Sequence, residues 1–148
     1  MKRVRTEHFI PFPPERVWAV LIDFPAYAEW NPLNIKASGE ARLGAPIAMT
    51  FINPARPGTT IDQIVRIATF EPPHRLAWEG HVPLLFHGRH HFELTAEDGG
   101  TRLRHGEDMS GLIALTFSAA RIERDFVPAY ERTNRALEAR VAAVSATR

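Results

Sequence analysis

The chain contains no cysteine. Disulfides, thiolate metal sites and cysteine nucleophiles are therefore excluded. No apolar run approaches the ~18 residues that a membrane-spanning helix needs, so membrane insertion is not expected. The amino end, Met1 to His8, lacks the apolar stretch of a secretory signal, and a cytoplasmic location is the expectation. An excess of either charge is missing too: Lys+Arg 18 against Asp+Glu 17 leaves a net charge of +1. The basic residues are scattered, not interleaved with aromatics along a stripe, so nucleic acid is not an expected partner. There is no glycine-rich phosphate loop, no nucleophile elbow and no His-Glu-x-x-His. Internal repeats and dividing linkers are also absent, and the 148 residues are read as one domain, 1–148.

Proline and histidine, with 12 and 7 copies, are plentiful instead. Eleven of the prolines precede residue 84, and proline interrupts both helices and central strands. Residues 3–10 read as a strand that stops at Pro11. Pro13-Pro14-Glu15 starts a short helix carrying Val17, Trp18, Val20 and Leu21, and residues 25–30 form a second, stopped by Asn31-Pro32. Six strands follow, over 33–40, 46–52, 60–70, 75–81, 85–96 and 101–110, with Glu97-Asp98-Gly99-Gly100 as a hairpin signal. Beyond them Ile122, Phe126, Tyr130, Thr133, Leu137, Val141 and Val144 recur at helical spacing, with charges on the other face. Pro128 lies within that stripe and predicts a kink that holds helix and sheet apart. The order β, α, α, six strands, α predicts an α+β protein: a curved antiparallel sheet with a long helix across its concave face.

Several of these residues carry a family resemblance. Pro14-x-x-Val17-Trp18-x-Val20-Leu21-x-Asp23-x-x-x-Tyr27-x-x-Trp30-Asn31-Pro32 resembles the opening signature of the START-like, or SRPBCC, helix-grip superfamily of polyketide cyclases/dehydrases and lipid-transport proteins. Pro72-Pro73-x-Arg75-Leu76-x-Trp78, Gly88-x-His90-x-Phe92-x-Leu94, Thr101-x-Leu103-x-His105-x-Glu107-x-x-x-Gly111 and Asn134-Arg135-Ala136-Leu137 continue it over almost the whole chain. The resemblance implies a seven-stranded antiparallel sheet gripping the C-terminal helix around an apolar cavity, with two short helices between strands 1 and 2. It leaves function open, because members bind lipids, sterols or hormones, cyclise polyketides or assist other proteins.

Strand parity locates the polar groups that would face such a cavity. In 85–96 the even set, Phe86, Gly88, His90, Phe92 and Leu94, is the more apolar and is expected inside. In 101–110 the odd set, Leu103, His105, Glu107 and Met109, is expected inside. A Gly99-Gly100 loop sets Phe92 opposite Glu107. A four-residue loop over 97–100 sets His90 opposite Glu107 and Phe92 opposite His105. In either register His90 and Glu107 are direct or diagonal neighbours. An imidazole beside a carboxyl in an apolar cavity is a candidate general acid/base pair, and His105 completes a polar patch that would orient a ligand. The same three residues equally suit a structural cluster that satisfies itself or holds water.

Five of the seven histidines lie between residues 81 and 105, yet no metal site is expected. His87 and His91 share a face with Arg89, and His90 points the other way. No cofactor is expected either. Trp30, at the end of the second short helix, and Trp78 are candidates to stack a planar ligand, as well as plain core residues. Phe126 and Tyr130, high on the helix stripe, are candidate cavity wall. The expected partner is a small hydrophobic molecule held in the cavity, with a homodimer as an allowed assembly. The alternatives are a cyclase/dehydratase-like enzyme using His90 and Glu107, and a protein-interaction module, which calls for an exposed apolar patch and little internal space.

Overall fold

In the computed structural model, which describes residues 1–147, seven strands form one antiparallel sheet. They are β1 (Lys2–Ile10), β2 (Lys36–Ser38), β3 (Pro46–Ile52), β4 (Thr60–Glu71), β5 (Arg75–Val82), β6 (Phe86–Glu97) and β7 (Gly100–Ser110). Their spatial order is β1-β7-β6-β5-β4-β3-β2. Successive strands pair as neighbours from β2 to β7, and β1 closes the sheet on β7. Between β1 and β2 lie α1 (Pro14–Leu21), a 3₁₀ turn (Phe24–Ala26) and α2 (Tyr27–Trp30). After β7 come a 3₁₀ turn (Ala114–Thr116), α3 (Ala119–Arg121), a π-helical turn (Ile122–Phe126) and α4 (Val127–Ala146). This is the helix-grip arrangement. No helix among the described residues is long and apolar enough to cross a membrane.

The β6–β7 hairpin resolves the two registers. His90 pairs with Glu107 and Phe92 with His105, the register of the longer loop. The pairing nevertheless continues to Glu97↔Gly100, so the turn itself is only Asp98-Gly99. Both residues have positive φ, 50° and 76°, the geometry that matches strand twist in a two-residue hairpin. Gly106 is needed for a different reason. A Cβ there would overlap the carbonyl oxygen of Val4 on β1, so the absence of a side chain lets β1 dock against β7.

Two local expectations change. The strand expected over 33–40 is only Lys36–Ser38. The Asn31 side-chain oxygen accepts from the backbone N–H groups of Leu33 and Asn34, at 2.9 and 2.8 Å, and this turn holds the segment out of the ladder. The kink expected at Pro128 is replaced by a wide turn before it. The Val127 N–H donates to the carbonyl of Ile122, five residues back, and Pro128 then falls in the first turn of α4. A proline costs least there, and the π turn upstream absorbs the altered bonding.

Packing divides the interior in two. One cluster joins α1, α2 and the sheet to the far end of α4, through Leu137 and Val141. The other joins Val4, Leu33, Met109 and Phe117 to the near end of the helix, through Ile122, Phe126, Ala129 and Tyr130. Thr133 and Asn134, both buried, lie between them on α4. Gly106→Ala is expected to lower stability by about 2–3 kcal/mol, measured by urea denaturation. A variant as stable as the parent would show that β1 does not need this approach.

Candidate functional site

A pocket of about 350 Å³ opens between the sheet and the segment 113–130. Apolar and aromatic side chains supply most of its wall, among them Met49, Val65, Trp78, Phe86, Met109 and Phe126. His90, Glu107 and Tyr130 form its polar corner. Of the residues expected from sequence to bind a ligand, Trp78, Phe86, His90, Glu107, Met109, Phe126 and Tyr130 line this pocket. Three do not. Trp30 packs edge-on against Tyr27, 5.3 Å between ring centroids, in the cluster around α1, with its indole N–H buried and unpaired. Phe92 and His105 stack on each other at 4.2 Å, one layer behind His90.

That second layer is a hydrogen-bonded relay. His90 Nδ1 lies 3.3 Å from Glu107 Oε1, and His90 Nε2 lies 2.7 Å from His105 Nε2. His105 Nδ1 lies 2.7 Å from Asn134 Oδ1. Asn134 Nδ2 donates to the Thr6 hydroxyl at 2.9 Å, and that hydroxyl donates to the backbone carbonyl of His105 at 2.7 Å. Asn134 and Thr6 were not singled out as site residues from the sequence. Signals for both exist: Thr6 alternates with Val4 on the inward face of β1, and Asn134 stands four residues after Tyr130 and three before Leu137.

The direction of the relay follows from the donor inventory. The His105 carbonyl only accepts, so the Thr6 hydroxyl spends its proton there. The Asn134 atom facing Thr6 must then be the donating NH₂, and its oxygen faces His105. His105 consequently carries its proton on Nδ1 and accepts at Nε2, and His90 donates from Nε2. The remaining His90 nitrogen, Nδ1, presents a lone pair to Glu107. A carboxylate facing a lone pair is repulsive, so Glu107 holds the proton and donates it to His90.

Electrostatics agree with this placement. Burial lowers His90 from the ordinary 6.5 to about 3, with neighbouring His91 adding to the effect. Burial, followed by the proximity of His90, likewise holds His105 well below its usual range. Burial raises Glu107 from 4.5 to about 7, while the nearby Tyr130 hydroxyl pulls it partly back. Tyr130 is itself pushed well above its usual range, by burial first and by Glu107 second. Both imidazoles are also sandwiched by aromatic faces: Trp78 stacks on His90 at 4.8 Å, and Phe92 covers His105. Such surroundings suit neutral rings. His87 and His91 point to the other side of the sheet, where His91 meets Arg5 and Asp108. Among the described residues no three or more His, Asp or Glu side chains converge as a metal site.

A family model described as polyketide cyclase / dehydrase and lipid transport matches residues 1–142. The chain belongs to that family. Solved structures share its fold at low sequence identity. TTHA0849 from Thermus thermophilus is 19% identical, covering 97% of this chain and 99% of its own, with a TM-score of 0.77. A START superfamily protein from Mycobacterium smegmatis is 16% identical, covering 96% and 98%, with a TM-score of 0.77. NE0264 from Nitrosomonas europaea is 16% identical, covering 97% and 96%, with a TM-score of 0.74. No curated protein matches the sequence.

The relay makes stability depend on pH. The two imidazoles have folded values below their unfolded ones, so their contribution is complete above pH 6.5 and is lost as pH falls. Glu107 acts in the opposite sense: its contribution is complete below 4.5 and is lost as pH rises to about 7. Between 4.5 and 6.5 two imidazoles oppose one carboxyl, so stability rises with pH, by at most about 1.4 kcal/mol per pH unit. Urea midpoints measured across this window should climb; a flat or falling series would contradict the assignment. Asn134→Ala leaves the His105 N–H without its acceptor and should cost about 2–3 kcal/mol, read from the same denaturation curves. A loss of under half a kcal/mol, as is typical of a surface change, would mean that Asn134 does not anchor the relay.

Proposed function

We propose that this protein binds a small hydrophobic molecule in the pocket between the sheet and the C-terminal helix. The observation that carries the reading is the pocket's composition: an apolar and aromatic wall of about 350 Å³ with one polar corner. Small-molecule sites commonly have volumes of about 300–1,000 Å³ and this division of labour. A guest that removes on the order of 200 Å² of apolar surface from water gains about 5 kcal/mol, and the polar corner then selects its orientation. The family, whose description includes lipid transport, is compatible with such a role.

A second reading, a cyclase/dehydratase-like enzyme, draws on a specific observation as well. Glu107 has a carboxyl poised near 7, it borders open volume, and it is coupled to His90. A group so poised both gives and takes protons near neutral pH. Turnover by such an enzyme would fail in Glu107→Gln, whereas simple sequestration does not depend on proton transfer.

The neutral fluorophore N-phenyl-1-naphthylamine tests the binding reading. It should bind with blue-shifted emission, and Val65→Phe, which fills the wall, should weaken it about tenfold or more. Native mass spectrometry of freshly purified protein should show a co-purifying organic guest. No fluorophore binding, or binding indifferent to Val65→Phe, would remove this pocket as the site.

A further inference from the structure

The polar corner has an unusual hydrogen-bond inventory: the protons of both imidazoles and of Glu107 are already committed. The His105 Nδ1–H goes to Asn134, and the His90 Nε2–H to His105. The Glu107 proton faces His90 Nδ1, and the Tyr130 hydroxyl stands near Glu107 on the pocket wall. Farther along the same wall, the Asn34 amide donates to Met49 Sδ at 3.1 Å. Acceptor lone pairs face the cavity at the polar corner: the second carboxyl oxygen of Glu107 and the phenolic oxygen of Tyr130. Both gain a partner from a guest that brings a proton.

Charge narrows the choice further. Neither Lys nor Arg is among the described residues that line the pocket; its two acids are Glu107 and Asp62. A carboxylate or phosphate would enter without a counter-ion, against the desolvation cost of an unpaired buried charge. An ammonium in that corner would meet a Glu107 carboxyl neutralised by its proton, and the other acid, Asp62, lies three strands away on β4, where the Thr50 hydroxyl donates to it at 2.6 Å. An amide donor of the pocket wall on that side, Gln63, is also on β4. It lies three strands from Glu107 on β7, about 14 Å at the spacing of neighbouring strands.

We infer that the pocket takes an uncharged hydrophobic molecule bearing a hydroxyl group, an alcohol or a phenol, whose O–H donates into the Glu107–Tyr130 corner, and that it rejects carboxylates of the same shape. The inference rests on the binding reading above and specifies the guest's functional group.

Three naphthalenes of similar size separate the two claims: 2-naphthol, 2-methylnaphthalene and 2-naphthoate, titrated calorimetrically at about pH 6, below the titration of Glu107. The hydroxyl compound should bind about tenfold more tightly than the hydrocarbon, and the carboxylate should bind most weakly. Glu107→Leu should bring naphthol down to the affinity of methylnaphthalene while leaving the hydrocarbon bound, which also shows that the variant is folded. Equal affinity of naphthol and methylnaphthalene for the unaltered protein would overturn the hydroxyl assignment and leave the hydrophobic pocket intact. Naphthoate as the tightest of the three would overturn it as well. Binding of none of them would sink both claims. The series on the unaltered protein decides the matter even if the leucine variant does not fold.

Discussion

A single hydrogen bond, from the Thr6 hydroxyl to the backbone carbonyl of His105, sets the polarity of everything behind the pocket. A carbonyl has no proton to offer, so the bond runs one way only. Asn134, His105, His90 and Glu107 inherit that direction in turn. The outcome at the cavity is a carboxyl group that keeps its proton in mildly acidic solution, up to about pH 7. A neutral acid in an apolar wall is a different chemical surface from a carboxylate: it accepts from a hydroxyl without demanding a cation.

The relay is also a structural seam. It joins β1, β7, β6 and α4 where the two apolar clusters of the interior meet. Buried polar groups are costly unless every one is satisfied. Here each imidazole nitrogen has a partner, and aromatic faces cover the rings. The same contacts that fix α4 against the sheet therefore fix the tautomers. Position and protonation are not independent properties of this site. The π turn before Pro128 places Phe126 and Tyr130 at the near end of the helix, over the pocket rather than in the relay.

Much of this was legible in the residues, and the exceptions have physical causes. Period-two alternation put His90, Phe92, His105 and Glu107 on the inner face, because one strand face is buried and one is not. Parity does not fix depth, and so it did not separate His90, which borders the cavity, from His105 and Phe92 behind it. The hairpin register stayed open because Asp98, Gly99 and Gly100 each tolerate a turn; positive φ at Asp98 decided it. Trp30 looked like a cavity residue by its position at the end of α2, but its ring packs on Tyr27 in the cluster around α1. Asn134 stood at helical spacing from Tyr130 and Leu137, but its role became visible only through what it meets across the sheet, His105 and Thr6.

The direct test of this account is where the protons sit. Long-range ¹H–¹⁵N correlation spectra of the imidazoles distinguish protonated from lone-pair nitrogens. At about pH 6, below the titration of Glu107, the account predicts protonated Nδ1 and bare Nε2 in His105, and protonated Nε2 with bare Nδ1 in His90, accepting from Glu107. The reverse pattern, or a doubly protonated His90 paired with an ionised Glu107, would contradict it.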